Sequence, residues 1–149
     1  MSNTPLTMRS ARASDWPHIA ALLQSHRLPL DGAREHLAQF CLAVCGDNIV
    51  GCAGMEVYGH EALLRSVAVQ PDQQGIGVGQ RLVSHLMAAA KHQHVTALYL
   101  LTTSAADYFA RLGFQRLSAQ QAPAALKQSL EFQGACPSSA VLMRLTLST

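Results

Sequence analysis

The chain has 149 residues, of which 49% are hydrophobic and 13% are charged, and this composition excludes an intrinsically disordered protein. The length predicts a single domain, residues 1–149, with one sizeable core. A net charge of +2 and scattered basic residues give no signature of a nucleic-acid or membrane partner. No apolar run approaches the ~18 residues of a membrane span, and no secretion signal is apparent, so we expect a cytoplasmic protein.

The cysteines and histidines give little indication of a metal site. Four cysteines are present, none in a Cys-x-x-Cys pair, and Cys41 and Cys45 lie in a strand-like stretch where they are expected to share one face. Buried reduced thiols are the main interpretation, with a soft-metal or arsenic-thiolate site as the alternative. The seven histidines are dispersed and show no metal-ligand spacing, so no metal is expected.

The N-terminal part predicts a strand followed by helices. The strand covers 8–11, and Ser14 and Asp15 offer N-cap side chains to a first helix that ends near His26. The apolar face of this helix comprises Trp16, Ile19, Leu22 and Leu23. A weaker pattern predicts a second helix over 33–39.

A hairpin and a central strand follow. Residues 40–44 and 49–57 alternate as strands around a Gly46-Asp47-Asn48 turn, and Gly51 and Gly54 indicate close packing against the second strand. The strand over 61–69 places Leu63, Arg65, Val67 and Val69 on one face by its period of two. Arg65 is a charge among apolar residues, so it requires either Glu56 on the neighbouring strand or a ligand carboxylate as partner.

The stretch from Val67 to Leu82 carries the strongest motif in the chain. A short β-branched strand ends at Pro71, three alternating glycines follow, and Val78, Leu82, Leu86 and Ala90 then recur at helical spacing, which predicts a helix over 75–92. A glycine loop that opens a helix presents backbone N–H groups and the positive end of the helix dipole to an anion. The alternative is that the glycines only make a tight turn.

The spacing within the loop excludes two other anion-binding motifs. A Walker loop needs Gly-Lys-Ser/Thr, and a dinucleotide fingerprint needs glycine where Gln80 stands. Instead, Gln74-x-x-Gly77-x-Gly79 after a Val-x-Val strand resembles motif A of the GCN5-related N-acetyltransferase (GNAT) superfamily, in which the loop holds the pyrophosphate of acetyl-CoA. Residues 106–114 resemble motif B of the same superfamily.

The resemblance implies the fold and the cofactor site. The fold is a single α/β (α+β) domain with a mixed, mostly antiparallel sheet, splayed at the acetyl-CoA strand and flanked by helices. The C-terminal half fits this with predicted strands over 97–102, 114–117 and 139–146 and helices over 105–111 and 122–130. The implied acetyl-CoA contacts are Val67, Ala68, Val69, Gln74, Gly75, Ile76, Gly77, Val78, Gly79, Thr102, Thr103 and Phe109. The amide of Val69 or its neighbour would polarise the acyl oxygen.

The catalytic positions depart from the family pattern. Phe109 stands where motif B has its tyrosine acid, and Leu63 stands where a glutamate often serves as base. The remaining candidates are Glu56 as the base and Tyr108 or Ser104 as the acid.

A narrower resemblance concerns the acceptor. Leu101-Thr102-Thr103, Glu131-Phe132 and the segment 136–143 are similar to the acetyltransferase domain of N-acetylglutamate synthases and to the small acetyltransferases of arsenic-resistance operons. Both imply an acceptor with a free α-amine and a carboxylate. The candidate acceptor contacts are Arg65, Arg34 and Ser138, together with Arg27 and His36. The alternative is a solvated helix surface for Arg27, Arg34 and His36, and a strand-entry turn for Ser138.

These features predict an acetyl-CoA-dependent N-acetyltransferase acting on the α-amine of a small amino acid or analogue, glutamate-like and arsenical acceptors included. The alternatives are acetylation of a peptide N-terminus or another amine, and an acetyl-CoA-binding sensor that has lost the chemistry. The resemblance leaves a homodimer open.

Overall fold

A computed structural model describes residues 5–129 and 140–147. In this part of the chain the strands are β1 (Leu6–Ser10), β2 (Phe40–Cys45), β3 (Asn48–Tyr58), β4 (Glu61–Val69), β5 (Ala97–Thr102), β6 (Gln115–Leu117) and β7 (Val141–Thr146). The α-helices are α1 (Trp16–Ser25), α2 (Val78–His92) and α3 (Ala106–Arg111). Short 3-10 helices cover Ala13–Asp15, Arg34–Gln39, Pro71–Gln73, Ala119–Gln121 and Ala124–Gln128.

The strands form one sheet in the order β1-β2-β3-β4-β5-β7-β6. The pairs β1–β2, β2–β3, β5–β7 and β6–β7 are antiparallel, whereas β4 and β5 are parallel. The parallel pairing covers only Glu61 to Leu63 with Ala97 to Tyr99, although both strands are longer. This arrangement confirms the predicted mixed sheet that opens at β4.

Two compact units share this sheet, and β3, β4 and α2 contribute to both. The first unit comprises the described residues among 1–55 and 66–86. In its core, the apolar face of α1 packs with β2 and β3, and the buried members include Ile19, Leu23, Phe40, Leu42 and Cys52. The predicted hydrophobic face of the first helix is therefore confirmed.

The second unit comprises the described residues among 56–65 and 87–149. Its core cluster brings Leu63 of β4, Tyr99 of β5 and Leu142 of β7 together with Leu126 from the last 3-10 helix. Leu126 is fully buried, so the segment before residue 130 is a packed part of this unit.

The two glycines of β3 are closely approached, as the sequence predicts. A Cβ at Gly54 would clash with the Phe40 ring, and one at Gly51 would lie 3.1 Å from the Ala68 oxygen and the Leu82 side chain. Gly51 therefore lets the first turns of α2 pack directly onto β3.

The three α-helices of the described residues end in the same Schellman turn, in which the chain changes direction at a residue with positive φ. That residue is Arg27 after α1, His94 after α2 and Gly113 after α3. The paired backbone bonds are Arg27 to Gln24 and Leu28 to Leu23, His94 to Lys91 and Val95 to Ala90, and Gly113 to Ala110 and Phe114 to Phe109. Only α3 uses glycine, the residue that favours this conformation.

The structure corrects several predicted elements in the first unit. In place of the helix predicted over 33–39, a 3-10 helix with a non-helical His36 covers Arg34–Gln39. Helix α2 begins at Val78, since Gly75 and Gly77 have positive φ. Asp15 makes no side-chain cap bond to α1, because its carboxylate binds Arg9 and the Arg12 amide.

Two further predictions were wrong. Among the described residues of the helix predicted over 122–130, only a 3-10 helix over Ala124–Gln128 forms, because Pro123 before it is extended and has no N–H to donate. The expected alternation along β4 is interrupted at Ser66, whose φ is +60°, so Val67 and Val69 do not continue the face of Leu63 and Arg65. Leu130 and Ser139, at the ends of two predicted elements, lie outside the described residues.

No helix within 5–129 or 140–147 combines the length and hydropathy needed to cross a membrane. The single-domain organisation of residues 1–149 stays a prediction.

Candidate functional site

The glycine loop between β4 and α2 is exposed and depends on glycine for its conformation. Gly75 and Gly77 have φ values of +83° and +86°, and a Cβ at either would meet no atom within 4 Å. The backbone there is open to solvent, and Ile76, between the two glycines, is 68% exposed. An approaching ligand would meet main chain at both glycines.

The helix that follows is anchored by its apolar side. Val78 and Leu82 are buried, while Gln80 and Arg81 of the first turn face solvent. Because the first four N–H groups of a helix have no partner within it, the start of α2 directs donors and the positive dipole end towards the loop. These are the features that bind phosphate groups at helix N-termini.

The end of β4 presents one backbone amide at an edge free of β3. The Gln70 N–H donates to the Val50 oxygen at 2.8 Å, so it points towards β3. Successive N–H groups of a strand point to opposite edges, so the Val69 N–H faces the other edge, where pairing with β5 ended at Leu63. This geometry favours Val69 over its neighbour Gln70 as the donor to an acyl oxygen.

Glu56 and Arg65 form an ion pair that is closed off from solvent. Arg65 Nη1 donates to Glu56 Oε2 at 2.7 Å, and the two side chains are 0% and 1% exposed. Of the two partners predicted for Arg65, the structure shows Glu56. A contact between Arg65 and an acceptor would require this pair to open.

Tyr58 and Ser129 complete the polar group around Glu56. The Tyr58 hydroxyl donates to Glu56 Oε1 at 2.5 Å and also bonds the buried Ser129 side chain. Burial, and then the bond to Glu56, raises the pKa of Tyr58. Proton uptake by Glu56 would disrupt its bonds with Arg65 and Tyr58. The structure therefore does not present Glu56 as a free base.

The candidates around β5 and α3 differ in exposure. The Thr102 hydroxyl oxygen accepts the Ala105 N–H at 3.0 Å and so stabilises the turn into α3, while Thr103 and Ser104 are exposed. Phe109 is buried and packs edge-on against Phe114 with centroids 5.8 Å apart. Tyr108 is half-buried, and burial raises its pKa above the usual range of a phenol, which is already protonated at neutral pH.

Three of the candidate acceptor residues belong to the first unit. In the first unit the exposed Arg34 lies over the Trp16 ring, 5.9 Å from its centroid, while Arg27 ends α1 and His36 marks the kink in its 3-10 helix. Ser138 lies outside the described residues.

Two of the three cysteines of the first unit pack as buried thiols. Cys41 and Cys52 are buried thiols that donate to the Leu82 and Ser66 oxygens, and burial raises the pKa of each to about 12. Cys45 is half-buried, and a register shift between Ala43 and Val44 separates it from Cys41. No group of three or more potential metal ligands occurs among the described side chains. Cys136 lies outside them.

Two adjoining hollows in the first unit, of about 380 and 470 Å³, do not coincide with the predicted site. They share His18, Ile49, Gln70 and Asp72, and none of the predicted site residues lines them.

Sequence reasoning missed one contact at the end of β4. His26 Nε2 lies 2.8 Å from the Val69 oxygen, which also accepts the Gln74 side chain at 2.9 Å. A histidine at the end of a helix has no local sequence signal for such a contact, because its partner is 43 residues away.

Comparison with protein families identifies the fold. The model of the acetyltransferase (GNAT) domain matches residues 36–116, which is more than half of the chain and includes the glycine loop. The chain belongs to the GNAT acetyltransferase family. Membership confirms the predicted family.

Relatives and solved structures give a narrower likeness. The chain is 29% identical over 138 residues to an amino-acid acetyltransferase of Neisseria meningitidis, covering 87% of this chain and 32% of the relative. It is also 29% identical to an amino-acid acetyltransferase of Mycobacterium tuberculosis, covering 74% of this chain and 68% of the relative. The N-acetylglutamate synthase of Neisseria gonorrhoeae, solved with coenzyme A and N-acetyl-glutamate, matches with a TM-score of 0.84 and 26% identity over 99% of this chain and 36% of that one. The chain therefore spans about a third of the length of the Neisseria relatives it matches.

Proposed function

We propose that this GNAT domain is an acetyl-CoA-dependent N-acetyltransferase that acetylates the α-amine of an amino acid or amino-acid analogue. The observation that supports the proposal is the conformation of the backbone around the glycine loop of the first unit. An open glycine loop and the start of α2 follow directly on a strand whose last N–H faces the edge opposite to β3.

The residues of the loop fit a pyrophosphate. Gly75 and Gly77 leave the main chain accessible, and the N–H groups that open α2 supply donors to anionic oxygens. Acetyl-CoA would supply an activated acyl group as a thioester. The Val69 N–H would then orient that group by donating to its carbonyl oxygen and would stabilise negative charge that develops there.

The proton transfers are assigned to side chains of the second unit. Tyr108 is the preferred acid, because it is half-exposed and its phenol stays protonated, with exposed Ser104 as the second candidate. Glu56 stays a proposed base only through a rearrangement of its bonds with Arg65 and Tyr58. An ammonium acceptor that loses its proton to solvent before it binds would make a dedicated base unnecessary.

The acceptor class is supported by the relatives rather than by a described pocket. Relatives named amino-acid acetyltransferase and a structural match to an N-acetylglutamate synthase favour an amine that also carries a carboxylate. A glutamate-like acceptor and an arsenical amino acid remain the two finer proposals. Arg34, which is exposed, and Arg65, if its pair opens, are the candidate carboxylate partners.

One observation favours a second function, that of an acetyl-CoA-binding sensor. The side chain at the motif B tyrosine position is the buried Phe109, and the candidate base Glu56 is enclosed with Arg65. Such a protein would retain the loop geometry without presenting a base. Cytoplasmic location and homodimer formation stay predictions.

The test is thiol release from acetyl-CoA, corrected for hydrolysis, against amino acids, their phosphinic and arsenical analogues, peptides and simple amines. The proposal predicts saturable turnover on an amino acid that bears a carboxylate, and loss of turnover when its α-amine is blocked. Tight CoA binding in calorimetry with no turnover on the panel would instead support the sensor. Turnover restricted to peptides would contradict the amino-acid acceptor.

A further inference from the structure

The carbonyl oxygen of Val69 accepts hydrogen bonds from two side chains of the first unit. His26 Nε2 approaches it at 2.8 Å from the end of α1, and Gln74 Nε2 approaches it at 2.9 Å from the glycine loop. A carbonyl oxygen only accepts, so His26 Nε2 must carry the hydrogen. We call this three-residue arrangement the Val69 clamp.

The other ring nitrogen of His26 anchors the ring to α1. Nδ1 lies 3.0 Å from the Leu22 oxygen and 3.1 Å from Ser25 Oγ. The Ser25 hydroxyl itself donates to the same Leu22 oxygen at 2.7 Å. These contacts hold the ring at the end of α1 with Nε2 directed at the Val69 oxygen.

The clamp completes the fixation of one peptide unit. The Val69 oxygen is held by His26 and Gln74, and the N–H of the same peptide, on Gln70, is held by the Val50 oxygen at 2.8 Å. A peptide unit is planar, so holding both of its polar groups fixes the plane. Only the two dihedrals of Val69 then separate this fixed plane from the Val69 N–H.

We propose that His26 is a positioning residue that aims the Val69 N–H at the acyl oxygen by holding the carbonyl of the next peptide. This inference rests on the proposed acetyltransferase function. His26 touches neither reactant; it acts through the backbone. Misplacement of a group at a reacting centre by about 1 Å can cost about 100-fold in rate, so one well-placed bond on this peptide has a measurable effect.

The Schellman turn at the end of α1 supports a specific role for this geometry. It places His26 at the C-cap, and Arg27 follows with a φ of +56°. The end of α2 has the same turn, but its C-cap residue is Gln93, so the turn itself does not require histidine there.

The experiment compares His26→Leu, which removes the donor, with His26→Gln, which keeps an N–H near the position of Nε2. His60→Leu is the matched control, because His60 Nδ1 bonds the His94 backbone oxygen at 3.0 Å, away from the glycine loop in sequence and in the other unit. We expect kcat to fall about tenfold or more in His26→Leu, with KM for acetyl-CoA and acceptor within about twofold of wild type. His26→Gln should recover most of kcat, and His60→Leu should match wild type.

If the bond from His26 to Val69 only stabilised the fold, His26→Leu and His60→Leu would both lower thermal stability, and kcat of the folded enzyme would be unchanged. That result would overturn the proposal, as would a loss of kcat in His26→Leu that His26→Gln does not relieve at all.

Amide hydrogen exchange separates the failure of this inference from the failure of the proposed function. Absence of turnover in the wild type would contradict the acetyltransferase proposal. The Val69 clamp would then be tested by the hydrogen-exchange rate of the Gln70 amide in CoA-bound protein. Exchange at least about tenfold faster in His26→Leu than in wild type supports the clamp, because the peptide is then held at one side only. Equal exchange rates overturn it.

Discussion

The glycine loop of the first unit and the Glu56–Arg65 pair of the second unit are built on opposite principles. The loop is exposed and consists of main chain whose conformation requires glycine at Gly75 and Gly77. The pair consists of two charged side chains that are 0% and 1% exposed. The backbone donors of the loop can therefore bind a ligand without any rearrangement. The two charges of the pair already bind each other, and a ligand could reach them only after the pair separates.

The largest expected effect comes from removing one member of the enclosed pair. Glu56→Leu should lower the free energy of unfolding by about 3–5 kcal/mol, because it takes away the carboxylate that pairs with buried Arg65. The double variant Glu56→Leu/Arg65→Met should recover most of that loss, because it removes both charges. Denaturant unfolding measures both.

The control is the exposed pair of Arg116 and Asp107, whose side chains are 56% and 88% exposed. Arg116→Met should cost less than about 1 kcal/mol. A small loss for Arg65→Met together with a raised acceptor KM would show that Arg65 serves a ligand, and the comparison between loop and pair would then fail.

The second prediction concerns the loop. Gly77→Glu should weaken CoA binding about 100-fold or more in calorimetry, since a carboxylate next to the pyrophosphate costs several kcal/mol. Gly59→Glu is matched to it, because Gly59 also has positive φ and open space around its Cβ position, at +65°, but lies in the turn between β3 and β4. Both variants should lose similar stability through backbone strain, and Gly59→Glu should keep wild-type CoA affinity. Equal losses of affinity would remove the anion-site argument.

The same contrast explains which parts of the site the sequence predicts. Gly75 and Gly77 are informative because glycine is the residue that adopts positive φ without strain, so its presence before a helix indicates the loop conformation directly. Arg65 is not, because a charge on a central strand is consistent with an internal partner or a ligand, and only the packing around it decides. His26 could not be predicted, since its partner is the Val69 backbone oxygen and any residue supplies one.

The fold shows a similar division. Strand β4 and the end of α1 match their predicted bounds, because strong hydrophobic periods determine them. The helix expected over 122–130 fails at Pro123, where a local backbone constraint outweighs an apolar pattern. The interruption of the side-chain alternation at Ser66 could not be predicted from the sequence, because serine has no preference for positive φ.

The third prediction uses a pair of intermediate burial in the first unit. Asp15 binds Arg9 through two bonds of 2.8 and 2.9 Å, and the hydrogen bond from Arg9 lowers the pKa of Asp15 from its usual 3.8 to about 2. A lowered folded-state pKa contributes stability above the unfolded value that is lost as pH falls through the folded value. Between about pH 5 and pH 2 the wild type should therefore lose about 1–2 kcal/mol more than Asp15→Asn, after allowing for the partial exposure of Arg9. Parallel pH curves for the two proteins would show that this pair contributes nothing.

The smallest effect is expected where positive φ occurs without glycine. Arg27→Gly should raise the free energy of unfolding by about 0.5 kcal/mol, because relief of left-handed strain of about 1–2 kcal/mol is partly offset by the greater freedom of glycine in the unfolded chain. His94→Gly changes the equivalent position after α2, so the two variants should gain similar stability. If only Arg27→Gly also lowers turnover, the guanidinium at the end of α1 takes part in the reaction in addition to ending the helix. Equal activity in both variants would assign Arg27 to the surface, and the α1 terminus would then act on Val69 through His26 alone.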